Sequence, residues 1–195
     1  MEGGRRTAGC QIGWLKRIKG PLLLIAGLGL GLSLGLLVFY GGPSLGGQAT
    51  ARQLPPTVGS EVADFSLKQL DGTTLTLADL RGRPVLINFW ATWCPPCREE
   101  MPLLERTAQT YGGRLVVVGV DYGEDAQTVA AFVQSLGIHF PIALDSNGEV
   151  AGRYFVRSYP ASFFVDADGI LRAQHLGALT ADLMVTYLET VGIKP

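Results

Sequence analysis

Hydrophobic positions follow two regimes along the chain. Residues 21–40 form a run of twenty with no ionisable side chain other than Tyr40. As a helix this run spans about 30 Å, the thickness of a bilayer core. Beyond Gly59 the apolar positions come in short, punctuated groups. Residues 65–67 and 73–77, separated by Asp71-Gly72, predict two strands closed by a turn. Residues 84–91 (PVLINFWA) and 115–120 (LVVVGV) are almost continuously apolar, as strands covered on both faces must be. Between them Met101, Leu104, Ala108 and Tyr111 keep helical spacing, so strand, helix and strand predict a right-handed parallel crossover. A second helix is predicted at 125–136, capped by Asp125 and stopped by Gly137. A strand at 140–144, a short helix at 149–156, a hairpin of 162–166 with 170–176 across Ala167-Asp168-Gly169, and a helix from the Thr180 cap to 191 complete the order. The class is α/β. No period of 20 to 50 residues repeats, which excludes solenoids and propellers.

Charge gives the first segment a direction. Arg5, Arg6, Lys16, Arg17 and Lys19 precede the apolar run against Glu2 alone, and only Arg52 follows it closely. The positive-inside rule then predicts a cytoplasmic segment 1–20, a transmembrane anchor 21–41 and everything after it outside the cytoplasm. Ala49-Thr50-Ala51 has the form of a signal-peptidase site, but the apolar run exceeds the roughly 7 to 15 residues of a cleavable signal. Gly27, Gly31 and Gly35 stand four apart and offer a helix-pairing face. Cys10 precedes the apolar stretch, the wrong side for a lipoprotein cysteine, and reads as an incidental cytoplasmic thiol. Residues 42–58, rich in Gly, Pro, Ser, Thr and Gln, read as a flexible tether to a domain at 59–195. From Arg52 onward the chain is acidic with dispersed bases, which argues against nucleic acid. Three cysteines exclude a disulfide-dense scaffold.

The chemistry concentrates where the first central strand meets its helix, at Trp93-Cys94-Pro95-Pro96-Cys97. This spacing places Cys94 at the helix cap and Cys97 one turn inside, close enough for a disulfide. Pro95 and Pro96 fall where a helix lacks amide acceptors, so they stiffen the turn without losing hydrogen bonds. Free amides and the helix dipole favour a Cys94 thiolate, which makes Cys94 the attacking sulfur and Cys97 the resolving one. A structural disulfide is one alternative. Half of a zinc site is another, although only His139 and His175 are available as further imidazoles.

The runs FWATWCPPCREEMP and YFVRSYPASFFVDADGI, with the order of elements, resemble the thioredoxin-like superfamily, in particular its membrane-anchored TlpA/ResA-type thiol-disulfide oxidoreductases. The likeness covers essentially all of 59–195. It implies a thioredoxin fold without a cofactor, the Cys94 and Cys97 roles above, and a cis-proline at Pro160 that turns the Tyr159 backbone towards the sulfurs to meet a substrate strand. Tyr159 replaces the small residue or threonine often found before that proline. Trp93, Pro95, Tyr159 and Pro160 are thus the expected substrate-facing group. Trp90 and Trp93 flank the motif as a docking surface, with buried packing an equal alternative for Trp90. Glu100 lies three residues past Cys97, on its helical face. Relatives that reduce apocytochrome c carry a glutamate there, which implies a proton acceptor for Cys97; the alternative is a first-turn glutamate favoured by the dipole, as Glu99 is. Pro102 should kink the helix.

By the same resemblance, electrons reach the pair from a membrane thiol carrier and pass to oxidised extracytoplasmic proteins, apocytochrome c foremost. Two other classes compete. A peroxidase of the alkyl hydroperoxide reductase group would place threonine three residues before its cysteine, where Ala91 stands and Thr92 is one closer. A metal chaperone would use Cys94 and Cys97 with His139 or His175.

Overall fold

The structure, a computed structural model, describes residues 55–194. The 1–20 segment with Cys10, the 21–41 anchor with Gly27, Gly31 and Gly35, and most of the 42–58 tether lie outside the described residues. Among the described residues no helix is long and apolar enough to cross a membrane.

Seven strands form one mixed sheet: β1 (Ser66–Gln69), β2 (Thr74–Thr76), β3 (Val85–Trp90), β4 (Val116–Tyr122), β5 (Ile142–Asp145), β6 (Ala161–Val165) and β7 (Leu171–Leu176). Their spatial order is β2-β1-β5-β4-β3-β6-β7. The centre β5-β4-β3 is parallel, and β1, β2, β6 and β7 add antiparallel flanks. Four helices cover it: α1 (Pro95–Tyr111), α2 (Ala126–Leu136), α3 (Glu149–Arg153) and α4 (Ala181–Thr190).

Local chemistry sets most boundaries. Asp125 caps α2 by accepting from Thr128 N at 2.9 Å, and Gly137 ends it at φ +62°. Thr180 caps α4 through Leu183 N. Several expected boundaries shift by a residue or more. The strand expected to reach Leu77 stops at Thr76, because Ala78 N is captured by Asp64 Oδ1 at 2.9 Å and Leu77–Leu80 close into a 3-10 turn. The helix expected over 149–156 stops at Arg153: Phe155 adopts φ +56°, with Val156 N bonded to Ala151 O and Phe155 N to Gly152 O. These two bonds satisfy the last carbonyls, as a left-handed helix stop does. The strand expected from 140 begins at Ile142.

The sheet carries a core on each face. On one, Leu86, Trp90, Cys97, Met101, Leu104, Val129, Phe164 and Leu188 bring α1, α2 and α4 together. On the other, Phe65, Ile87, Phe89, Val118, Tyr154 and Phe163 pack with α3 and the 3-10 turn. Each such buried side chain contributes about 1.5–3 kcal/mol by removal from water. Gly119 in β4 is required by this packing, since a Cβ there would lie 2.8 Å from Ile142 Cδ1 and 2.9 Å from Trp90 Nε1.

Candidate active site

All six residues of β3 are buried, so the strand is a fixed support. It delivers Ala91, Thr92 and Trp93 to the start of α1, where Cys94 is the N-cap and its Sγ accepts from Cys97 N at 3.3 Å. Cys94 and Cys97 are joined as a disulfide, with their Cα atoms 5.3 Å apart. Pro95 and Pro96 occupy the first turn, exposed, and cost the helix no bond. Cys97 is fully enclosed, whereas Cys94 keeps a sliver of exposure at 4%. An incoming sulfur therefore meets Cys94 first. The helix continues through Pro102 to Tyr111.

Beside the disulfide stands an aromatic stack. Trp93 is 58% exposed and meets Tyr159 edge-on at 5.8 Å, and Tyr159 lies against Tyr122 at 5.0 Å. The Tyr159-Pro160 peptide is cis, as the resemblance implies. Trp90 does not join this surface: it is wholly buried, 5.6 Å from Phe132. The docking-surface expectation therefore fails for Trp90, because its β3 position points into the core with Leu86.

Glu100 sits below the first turn of α1. Its Oε1 accepts from Asn88 Nδ2 at 2.7 Å and its Oε2 from Leu179 N at 2.8 Å. Only 2% of it is exposed, so it is no surface glutamate held by the dipole, unlike exposed Glu99. Burial pushes its carboxyl up to about 7, with the Leu179 amide and the Asn88 side chain opposing. A carboxyl tuned to neutrality exchanges protons readily at physiological pH.

Three residues of this region are not singled out by the sequence pattern. Asn88, hydrogen-bonded to both Glu100 and Ser162 Oγ, is the lone polar side chain inside PVLINFWA, and that isolation is the one signal of its role. Asp121 is fully buried at the end of β4, one residue beyond the predicted strand, and so escapes the apolar pattern. Glu124 accepts from Thr92 N at 2.6 Å and Thr92 Oγ1 at 2.5 Å, so the Thr92 hydroxyl is committed to Glu124. The two histidines have other contacts: His139 Nδ1 is 3.1 Å from Glu105 Oε1, and His175 Nδ1 is 3.3 Å from the Tyr187 hydroxyl. Among the described residues no group of three or more His, Cys, Asp or Glu side chains is arranged to hold a metal.

The AhpC/TSA family model matches residues 58–174. The chain belongs to that family. It is 36% identical over 162 residues to the thioredoxin-like protein YneN of Bacillus subtilis, covering 82% of this chain and 95% of YneN. It is 35% identical over 135 residues to the thiol-disulfide oxidoreductase ResA of Bacillus thuringiensis, covering 69% of this chain and 78% of ResA. Among solved structures, a thioredoxin-family thiol:disulfide interchange protein of Chlorobium tepidum superposes with a TM-score of 0.62 at 25% identity, over 69% of this chain and 97% of that one. A secreted Mycobacterium tuberculosis disulfide oxidoreductase homologous to Escherichia coli DsbE gives 0.59 at 28%, over 64% and 94%. The sheet and helices are thus a thioredoxin-like α/β fold, and the protein is a thiol-disulfide oxidoreductase of TlpA/ResA type that carries its own Cys94–Cys97 pair.

Proposed function

We propose that this protein reduces the disulfides of extracytoplasmic partner proteins, haem-binding cysteines of apocytochrome c foremost, while anchored by residues 21–41 with its N-terminus in the cytoplasm. The observation that carries the chemical assignment is a reachable Cys94 at a helix cap over an enclosed Cys97 and a near-neutral Glu100. In the reduced protein the Cys94 thiolate attacks a substrate disulfide, a mixed disulfide forms, and the first substrate sulfur leaves as a thiolate. Cys97 gives its proton to the Glu100 carboxylate and attacks Cys94 Sγ, releasing the second substrate thiol. Two electrons have passed to the substrate, and the protein is left oxidised. A membrane thiol carrier restores the dithiol. Trp93, Pro95 and Tyr159 form the surface against which the substrate segment lies during the mixed-disulfide stage, with the cis Pro160 buried behind Tyr159 and setting its backbone direction.

The reduction potential of the Cys94/Cys97 couple tests the direction. A value near or below about −220 mV supports a reductant fed by a dedicated electron supply, whereas one near about −120 mV makes the protein an oxidant and overturns the reading. Cys97→Ala should trap substrates as mixed disulfides and identify them. Failure of Cys94→Ala to abolish exchange would remove Cys94 from the mechanism.

A further inference from the structure

The turn that presents Cys94 is held from behind by a carboxylate. Glu124, in the loop between β4 and α2, takes both donors of Thr92, its amide and its hydroxyl. Behind Glu124 lies Asp121, in parallel register with Trp90 and therefore on the disulfide's face of the sheet. Asp121 is fully buried, and neither of its carboxyl oxygens meets a hydrogen-bond donor among the described residues. The ionisable group set beside it is the Glu124 carboxyl. Two carboxyl groups face one another at a buried position, an arrangement that repels unless a proton lies between them.

We propose that Asp121 is a positioning residue for the disulfide exchange: as a carboxylic acid it donates to the Glu124 carboxylate, fixes the grip of Glu124 on Thr92, and so holds the Thr92–Trp93 turn in front of Cys94. Loss of that proton to solvent leaves two adjacent anions, Glu124 swings away, and the turn loosens. Glu124 is the natural acceptor of the pair because Thr92 already donates to both of its oxygens. Burial, and then the Glu124 carboxyl, push the Asp121 carboxyl up to about 8, with the nearby Glu124 backbone amide opposing. Two further ionisable groups lie near Asp121. Asp145, at the end of β5, adds a second negative charge from the opposite face of the sheet, and Tyr159, before β6, brings a phenol that burial keeps neutral. From β3 comes uncharged Trp90, backed by Phe132, with the Arg98 guanidinium 5.6 Å from the Phe132 ring. Glu100 on α1 has its own partners, Asn88 and Leu179. The device adds pH control to the Cys94 reading and rests on that reading only for its effect on rate.

The test is a pH titration of the full chain in detergent, followed through the Thr92 backbone amide by nitrogen-15 NMR. The Thr92 resonance should move as pH rises through about 8. It should stay still in Asp121→Asn, whose amide donates to Glu124 at every pH. Attack of reduced protein on a small aromatic disulfide should fall several-fold below the thiolate curve over the same range in the wild type, and follow that curve in Asp121→Asn. A wild-type Thr92 resonance that does not titrate, or one that titrates identically in Asp121→Asn, overturns the proposal. Should Asp121→Asn not fold, infrared spectra of the wild type and Glu100→Gln decide. Both must show a protonated carboxyl band at neutral pH that disappears by about pH 10, and its absence from Glu100→Gln is equally fatal. Exchange that fails at every pH while Thr92 still titrates would overturn the functional reading instead.

Discussion

The two faces of the central sheet treat their buried polar groups differently. On the α3 face the aromatic rings of Phe89, Tyr154 and Phe163 lie 5.2–5.5 Å apart, and the polar groups among them are satisfied. The Tyr154 hydroxyl donates to Ala63 O at 2.6 Å, and the Asp145 carboxylate accepts from Val150 N at 3.1 Å and Ala151 N at 2.8 Å. On the disulfide face lie Asn88 Oδ1 and Trp90 Nε1, buried side-chain polar atoms that lack partners among the described residues, and both oxygens of Asp121, which meet no donor there. Unpaired buried polar atoms cost stability, and their confinement to one face marks where stability is exchanged for chemistry. One face is a support; the other is a working surface whose charges are tuned by the scarcity of water.

The largest effect separating the faces should come from Phe89→Ala. It removes a ring that touches both Tyr154 and Phe163 and should cost about 3–5 kcal/mol in urea unfolding. Exchange activity per folded molecule should survive it; a selective loss of activity would mean that the faces are coupled. Next comes pH. The folded-state carboxyl of Glu100 is raised from 4.5 to about 7, so the folded protein binds more protons than the unfolded chain between those values. The Glu100 contribution to stability should therefore be greatest below that window, decline as pH rises through it and level off above, while the Asp121 carboxyl, raised to about 8, adds its own decline up to that pH. The Glu100 share is on the order of 3 kcal/mol, and thermal unfolding of Glu100→Gln should lack that share and keep the rest. The same variant should slow release of the mixed disulfide more than its formation, which stopped-flow mixing resolves. Equal pH dependence of both steps would remove Glu100 from the proton transfer.

Asp145→Ala tests the satisfied face from the polar side. It strands two buried amides at the start of α3 and should cost about 1–3 kcal/mol without changing the redox potential. The smallest change in stability belongs to Trp93→Ala, within about 0.5 kcal/mol because the side chain is mostly in solvent. Its signature is kinetic: slower reduction of protein disulfides, with small disulfides unaffected.

Local signals are legible in the amino-acid sequence alone. The continuous apolar runs predict the two central parallel strands, Asp125 with Gly137 bounds α2, and Thr180 opens α4. The Cys94–Pro–Pro–Cys97 turn is equally plain, because a cap, two prolines and a second thiol one turn on are all local features. Predicted boundaries fail where a distant group or an unusual backbone angle intervenes. Asp64, fourteen residues upstream of the Ala78 amide it captures, ends the strand before Leu77, and a left-handed Phe155 closes α3. The site is half visible. Its sulfurs and its helix-borne Glu100 can be placed by spacing. The partners of Glu100 cannot, since Asn88 is 12 residues away and Leu179 is 79.

The order of elements, the caps and the reactive pair are thus determined by the sequence itself, since each depends on residues within a turn or a strand of one another. The tertiary structure alone decides which face each strand shows to α1, and that Trp90 lies inside while Trp93 lies outside. It also decides that Asp121 and Glu124 meet behind Thr92. Burial and carboxyl tuning are properties of surroundings, and surroundings come from packing segments far apart in the chain. A carboxylate reads the same in any sequence, and only its neighbours and the water denied to it set where it gives up its proton.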